Sequence, residues 1–258
     1  MLDVLYEITG SIPEVSTGAF IALCLVSFST SVISATFGLG GGVTLLTIIA
    51  FLLPPLAIIP IHGVIQMSSD FSRALMMWRN IKFTWIIPFL LGSMVGAAVG
   101  GQIVFAMPKH LLQGLIGLFV LYSVWSPAMK AFHSSWLSFA SLGGISSFAT
   151  MFVGGTGVIV APFVRASTDG RRMTVATQAA FMSWQHGIKI LMFSVLGFAF
   201  STYASLIGAM IVFGIFGTLS GKAILLKMPE KVFQVALKTV LTLLALGLLY
   251  QAVTNGMF

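Results

Sequence analysis

Carboxylates are scarce in this chain. Six Asp and Glu stand against thirteen Lys and Arg among 258 residues, and charged residues of both signs make up only 7%, where a soluble domain carries roughly 25%. A mostly solvated exterior is therefore excluded. With hydrophobic residues at 58% and a mean hydropathy of +1.05, the chain reads as an all-α polytopic membrane protein in a lipid bilayer. Cysteine is reduced to Cys24, which excludes an internal disulfide, a cysteine metal cluster and a redox pair; Cys24 itself reads as a small core residue. The opening stretch MLDVLYEITGSIPEVS contains Asp3, Glu7 and Glu14 but no Lys or Arg. A secretory signal starts with positive charge, so none is expected and the N-terminus reads as retained. The net charge of +7 is assigned to membrane orientation and not to nucleic acid.

Catalytic signatures are missing as well. The sequence contains no H-E-x-x-H, G-x-S-x-G or P-loop and no intramembrane pair of aspartates, and no ligand cluster that would suit zinc. No catalytic residue, metal or cofactor is expected, and an intramembrane enzyme is the least favoured class.

What the chain does have is apolar segments, five in each half. They run 18–37, 42–60, 62–78, 84–106 and 110–129, then 136–153, 157–165, 173–195, 201–226 and 232–254. Most are near the roughly 17–25 residues that cross a bilayer. The segment 157–165 is too short to span, and reads as part of a broken or re-entrant element. Gly92, Gly96 and Gly100 fall four apart, as do Gly217 and Gly221, giving small faces for close helix packing.

The halves repeat each other. One offset, 115 residues, carries Phe37 onto Phe152, Gly40 onto Gly155, Gly42 onto Gly157, Val43 onto Val158, Met67-Ser68 onto Met182-Ser183 and Met77 onto Met192. After a small insertion, Met107-Pro108 matches Met228-Pro229 and Gln113 matches Gln234. This is the signature of a duplication: an extracytoplasmic segment 1–16, a repeat over 17–132 and a second over 133–258. An odd number of segments per repeat inverts the second, and the basic residues agree. With both termini outside, Arg79, Lys82, Lys130, Arg165, Arg171, Arg172, Lys227 and Lys231 fall at cytoplasmic ends, with Lys109 as the outward exception. Re-entrant hairpins preserve sidedness, so the charges fit eight to ten segments equally.

Two glycine-rich interruptions, FGLGGGV at 37–43 and FVGGTGV at 152–158, fall at corresponding places in the repeats. Secondary transporters break helices in this manner, because unwound backbone and half-helix N-termini bind ions near the midplane. A helix restarting at Val43 or Val158 points free N–H groups and its positive dipole end at an anion. The candidate ligands are Gly40, Gly41, Gly42 and Thr44 (or Thr47) at the first turn and Gly155, Thr156 and Gly157 at the second. Tight turns between packed helices remain the plain alternative.

The GLGGG turn entering an apolar helix, its repetition as VGGTGVIVAP, the spacing to a polar third segment and the length of 258 residues resemble the TauE/SafE family, the sulfite exporter or toluene sulfonate uptake permeases. The resemblance covers essentially the whole chain. It implies an inner-membrane carrier for sulfite, sulfoacetate or other organosulfonates, often moved outward. The family's proline five residues after the last turn glycine is matched by Pro162 but replaced by Thr47 in the first repeat, and Thr156 interrupts the second glycine run.

The third segments carry the remaining polar groups. His62, Gln66, Ser69, Asp70 and Arg73 share one helical face, and Asp70 with Arg73 reads either as a pair lining a cavity or as a structural ion pair at a helix end. In the second repeat Gln178, Gln185 and Lys189 share a face, next to His186. Lys189 has no acidic partner in sequence; it reads as a ligand for a sulfonate or sulfite oxygen, or as a side chain snorkelling to an interface. Asp70, His186 and His62 are the candidates for proton coupling. Trp78, Trp85, Trp125 and Trp136 read as interfacial anchors. Together these features describe an anion carrier whose repeats rock against each other around a central site; a channel, or a carrier for a different organic anion, stays open.

Overall fold

Glycine and proline decide where the helices stop. The computed structural model describes residues 12, 14–37, 40–104, 107–126, 133–224 and 230–256, and among them the regular structure is helical, with no strand. In chain order the helices are α1 (Thr17–Phe37), α2 (Gly41–Leu52), α3 (Pro55–Met76), α4 (Ile86–Val104), α5 (Lys109–Trp125), α6 (Trp136–Val153), α7 (Gly157–Ala166), α8 (Gly170–Val195), α9 (Ala204–Ile224) and α10 (Glu230–Gly256). Lys130 and Lys227, and the side chains of Lys109, Arg171, Lys222, Lys231 and Gln234, lie outside the described residues, as does any contact of Gly221.

The expected segment 42–60 is corrected. It ends at Leu52, and the next helix starts at Pro55. The breaker is the Pro54-Pro55 pair: a proline pushes its predecessor out of the helical region, Leu53 and Pro54 are extended, and Pro55 occupies the first helical position, where its missing N–H costs nothing. Pro60, the expected boundary, sits inside α3.

Among the described residues five stretches are long and apolar enough to cross a membrane: Thr17–Ala35, Phe83–Val104, Trp136–Val153, Phe200–Ser220 and Val235–Gly256. These belong to α1, α4, α6, α9 and α10. Helices α2 and α7 have 12 and 10 residues, roughly 18 and 15 Å at 1.5 Å per residue, about half of a 30 Å hydrocarbon core. Helices α3 and α8 have 22 and 26 residues; their length suffices, but their polar content keeps them out of the apolar set. They pack on each other, with α9 also against α3 and α4 against α8.

Two pairs of equivalent helices, α3 with α8 and α5 with α10, run antiparallel. Along α3 and α8, Gly63 lies by Lys189, Met67 by Gly187 and Asp70 by His186. Along α5 and α10, Gln113 bonds Gln251 at 3.0 Å and Trp125 bonds Thr242 at 3.0 Å. Reversal of matching elements is what an inverted duplication produces.

The fourth helix of each half packs on the first helix of the other. In α4 the Cβ positions of Gly92 and Gly96 are filled by the backbone carbonyls of Ala140 and Gly144 on α6, and Gly100 lies against Phe148 and Met151. In α9, Gly217 meets the Phe28 carbonyl of α1 in the same way, and Ser27 bonds the Met210 carbonyl at 2.7 Å. Lipid gives no hydrophobic drive between helices, so such close backbone approach supplies the van der Waals attraction instead. At one end of the molecule Lys82 fastens the loop after α3 to the α7–α8 corner, its Nζ on the Ser167 carbonyl at 2.6 Å and its N–H on Thr177 Oγ1 at 2.9 Å. That end also carries Arg79, Arg165 and Arg172. Trp78, Trp125 and Trp136 are exposed at helix ends, whereas Trp85 is stacked on Phe139 with ring centres 5.0 Å apart.

Candidate functional site

Both half-helices begin without a side-chain cap. Gly40 precedes α2 with φ of 97°, a left-handed conformation that favours glycine; Thr156 precedes α7, but its hydroxyl is directed elsewhere. The first N–H groups of each helix are thus left over. The two starts meet: a Cβ on Gly155 would lie 3.9 Å from the Gly42 carbonyl carbon. They open onto one cleft of about 510 Å³, counting its mouth, bordered by Gly40, Gly42 and Val43 on one side and Gly155, Gly157 and Val158 on the other. Two positive dipole ends beside one cavity are an arrangement that can hold an anion through backbone N–H groups.

Helices α3 and α8 supply most of the remaining wall, His62, Gln66, Asp70 and Arg73 from α3 and Gln178, Met182 and His186 from α8, and α1 adds Ser34. The spacing of the first four puts them on one face of α3, as the sequence implies. Arg73 donates to Asp70 Oδ1 at 3.1 Å and to Ser69 Oγ at 3.3 Å. Asp70 Oδ2 then faces His186 Nε2 across 3.7 Å, beyond direct hydrogen bonding. Lys189 donates to His186 Nδ1 at 3.1 Å and to the Gly154 carbonyl at 2.6 Å. A charged lysine can only donate, so the neutral imidazole carries its proton on Nε2, toward Asp70. Arg73, Asp70, His186 and Lys189 form a chain from the cleft to the second turn. Lys189 is fully buried, so it does not snorkel.

The other sequence candidates stand outside the lining. Gly41 is wedged against α1, its Cβ position filled by Ser34 Oγ and the Thr30 carbonyl. Thr44 and Thr47 turn their hydroxyls back onto the carbonyls of Gly40 and Val43, at 2.9 and 2.6 Å. Gln185 is fully buried and holds three hydroxyls, accepting from Thr156 at 2.8 Å and donating to Ser146 and Ser147 at 2.9 and 3.0 Å. It braces the second turn against α6. Gly154 joins this bracing: at φ of 70° its carbonyl receives both Lys189 and Thr150, the latter at 2.7 Å. At the first turn, among the described residues, His62 Nε2 donates to the Gly42 carbonyl at 3.0 Å.

Val43 and Val158, the expected restart positions, border the cleft, as do Ser34 and Met182, which were not candidates from sequence. Met182 had a signal, as the repeat partner of Met67; Ser34 had none, because a serine in an apolar helix carries no pattern. Gly154 lay inside the second glycine motif.

The model of the sulfite exporter TauE/SafE family matches residues 23–248. The chain matches no curated protein and no solved structure. With the match running from α1 into α10, and so over both glycine turns and the whole cleft, this integral membrane protein belongs to the sulfite exporter TauE/SafE family.

Proposed function

We propose that the protein is a secondary carrier of small sulfur-containing anions, sulfite or an organosulfonate, working outward by alternating access across the cytoplasmic membrane, with both termini outside. The observation that carries this reading is the meeting of two uncapped helix N-termini in one cleft beside Arg73. Substrate oxygens take the N–H groups at Gly42–Val43 and Gly157–Val158, and Arg73 adds a charged donor. Arg73 is partnered by Asp70, so an anion competes with that carboxylate. Protonation of Asp70 releases Arg73, which links proton and anion occupancy; His186 and Lys189 extend the proton path toward the second turn. Lys189 thus acts through the turn and not on the substrate.

The exchanged packing suggests the moving bodies. Helix α1 with α9 forms one, and α6 with α4 the other, in place of the sequential halves. Basic residues gathered around the Lys82–Ser167 bond support a cytoplasmic placement of that end.

Flux of labelled sulfite in proteoliposomes tests the reading. Accumulation against a gradient is expected, lowered about tenfold or more in Arg73→Ala with the protein still folded. Equilibration without accumulation makes it a channel; transport unchanged in Arg73→Ala removes the site. For Asp70→Asn, anion-driven proton flux is expected to vanish, and flux equal to the unmodified protein's removes Asp70 from coupling.

A further inference from the structure

Hydrogen-bonding capacity in the cleft does not balance with a bare oxyanion, and the surplus lies on the acceptor side. Gln178 donates its Nε2 to the Gly157 carbonyl at 3.0 Å. The acceptor there is a carbonyl, which fixes the amide's orientation and turns Oε1 the other way. Among the described residues that Oε1 is buried with no hydrogen-bond partner. His62 repeats the pattern: Nε2 donates to the Gly42 carbonyl, so the neutral ring leaves Nδ1 as an acceptor, and it too is buried without a partner. Gln178 and His62 both border the cleft. On the donor side stand the two helix starts and Arg73, whose Nε is likewise buried and unpartnered.

Buried polar groups are normally satisfied, and those that are not call for a missing partner. A ligand made only of acceptors answers the helix starts and Arg73 but sets lone pairs against Gln178 Oε1. A ligand bearing both anionic oxygens and a donor answers both sets. Resting on the anion reading above, we propose that the substrate carries its own O–H or N–H group in addition to its anionic oxygens: a hydroxy- or amino-bearing small sulfonate. Gln178 is the specificity-determining residue. Its Nε2 holds the start of α7 through Gly157, and its Oε1 accepts from the substrate while the anionic oxygens lie at the N–H groups beside it.

Calorimetry on the purified full-length protein tests this with two ligands of similar size, 2-hydroxyethanesulfonate and propane-1-sulfonate, which differ by a hydroxyl in place of a methyl. The hydroxy compound is expected to bind about tenfold or more tightly, because a site built around a polar group rejects the analogue lacking its partner. Gln178→Met is expected to shrink that preference to about threefold or less; a preference left intact in folded Gln178→Met overturns the assignment to Gln178. Equal binding of the two ligands, or preference for the methyl compound, overturns the proposal while the anion reading stands, with water then completing the acceptors. Failure of both to bind also overturns it, and failure of hydrogen sulfite in addition removes the anion reading itself. If Gln178→Met does not fold, the ligand pair on the unmodified protein decides.

Discussion

The two turn glycines that border the cleft at equivalent positions are not equivalent in their surroundings. A Cβ on Gly42 falls on the Gln66 amide, whereas on Gly157 it finds ordinary contact at 3.5 Å with Gln178 Nε2 and Met182 Sδ. Gly42→Ala is therefore expected to displace Gln66 from the cleft wall and weaken anion binding about tenfold or more, with the fold retained because a side-chain end can yield. Gly157→Ala is expected to change binding by less than about threefold. Titration of both variants checks this, and equal effects would remove the distinction. Lys189→Met addresses the buried cation. The Gly154 carbonyl keeps its bond from Thr150, so the loss in stability is held to about 1–2 kcal/mol. Transport is expected to fail, since the link to His186 is gone. Thermal unfolding and flux on the same preparation separate the two effects.

At the scale of elements, the small-residue faces make a sharper distinction. In α4 and α9 a Cβ on Gly96 or Gly217 meets a backbone carbonyl of the partner helix, that of Gly144 or Phe28. Backbone in a packed helix cannot step aside, so Gly96→Ala and Gly217→Ala are each expected to lower stability by about 1–3 kcal/mol, as overpacking does. Gly101 also lies on α4, yet its Cβ would meet only the side-chain ends of Leu196, Met151 and Met192 at 3.3–3.5 Å. Gly101→Ala is expected to cost less than half as much. Thermal melts of the three variants in one detergent decide; a Gly101 variant as damaged as the others contradicts the packing account. The half-helices follow the same logic of enclosure. Leu45, Leu46 and Ile49 of α2 are buried with Ile58, Ile59 and Ile61 of α3, so a helix too short to span is held by protein on its sides and leaves its N-terminus to the cleft.

For the whole molecule, the decisive question is which helices move together. Cysteines engineered on the two halves distinguish the answers, after Cys24→Ser removes the native thiol. Ser31 on α1 and Gly214 on α9 are adjacent, a Cβ on Gly214 lying 3.1 Å from Ser31 Oγ. If α1 and α9 form one body, the Ser31→Cys/Gly214→Cys cross-link leaves transport above about half of the reduced control. If the sequential halves rock apart, the same cross-link joins the moving parts and transport stops. Flux before and after reduction gives the result directly.

The sequence by itself determined the membrane class and the position of both glycine turns, because hydropathy and glycine spacing are local and survive in one dimension. It also placed His62, Gln66, Asp70 and Arg73 on one face, since helical periodicity fixes that without knowledge of a partner. The exchange of α4 and α9 between halves was not legible, because glycine spacing marks a close-packing face but not the helix that fills it. Nor was the division of labour among Gln178, Gln185 and Lys189. They share a helix, yet only Gln178 borders the cleft, while Gln185 meets Ser146 and Ser147 on α6 and Lys189 meets the Gly154 carbonyl. Periodicity says which side chains emerge together; what each one meets depends on segments far away in the chain, and only the tertiary structure brings those there.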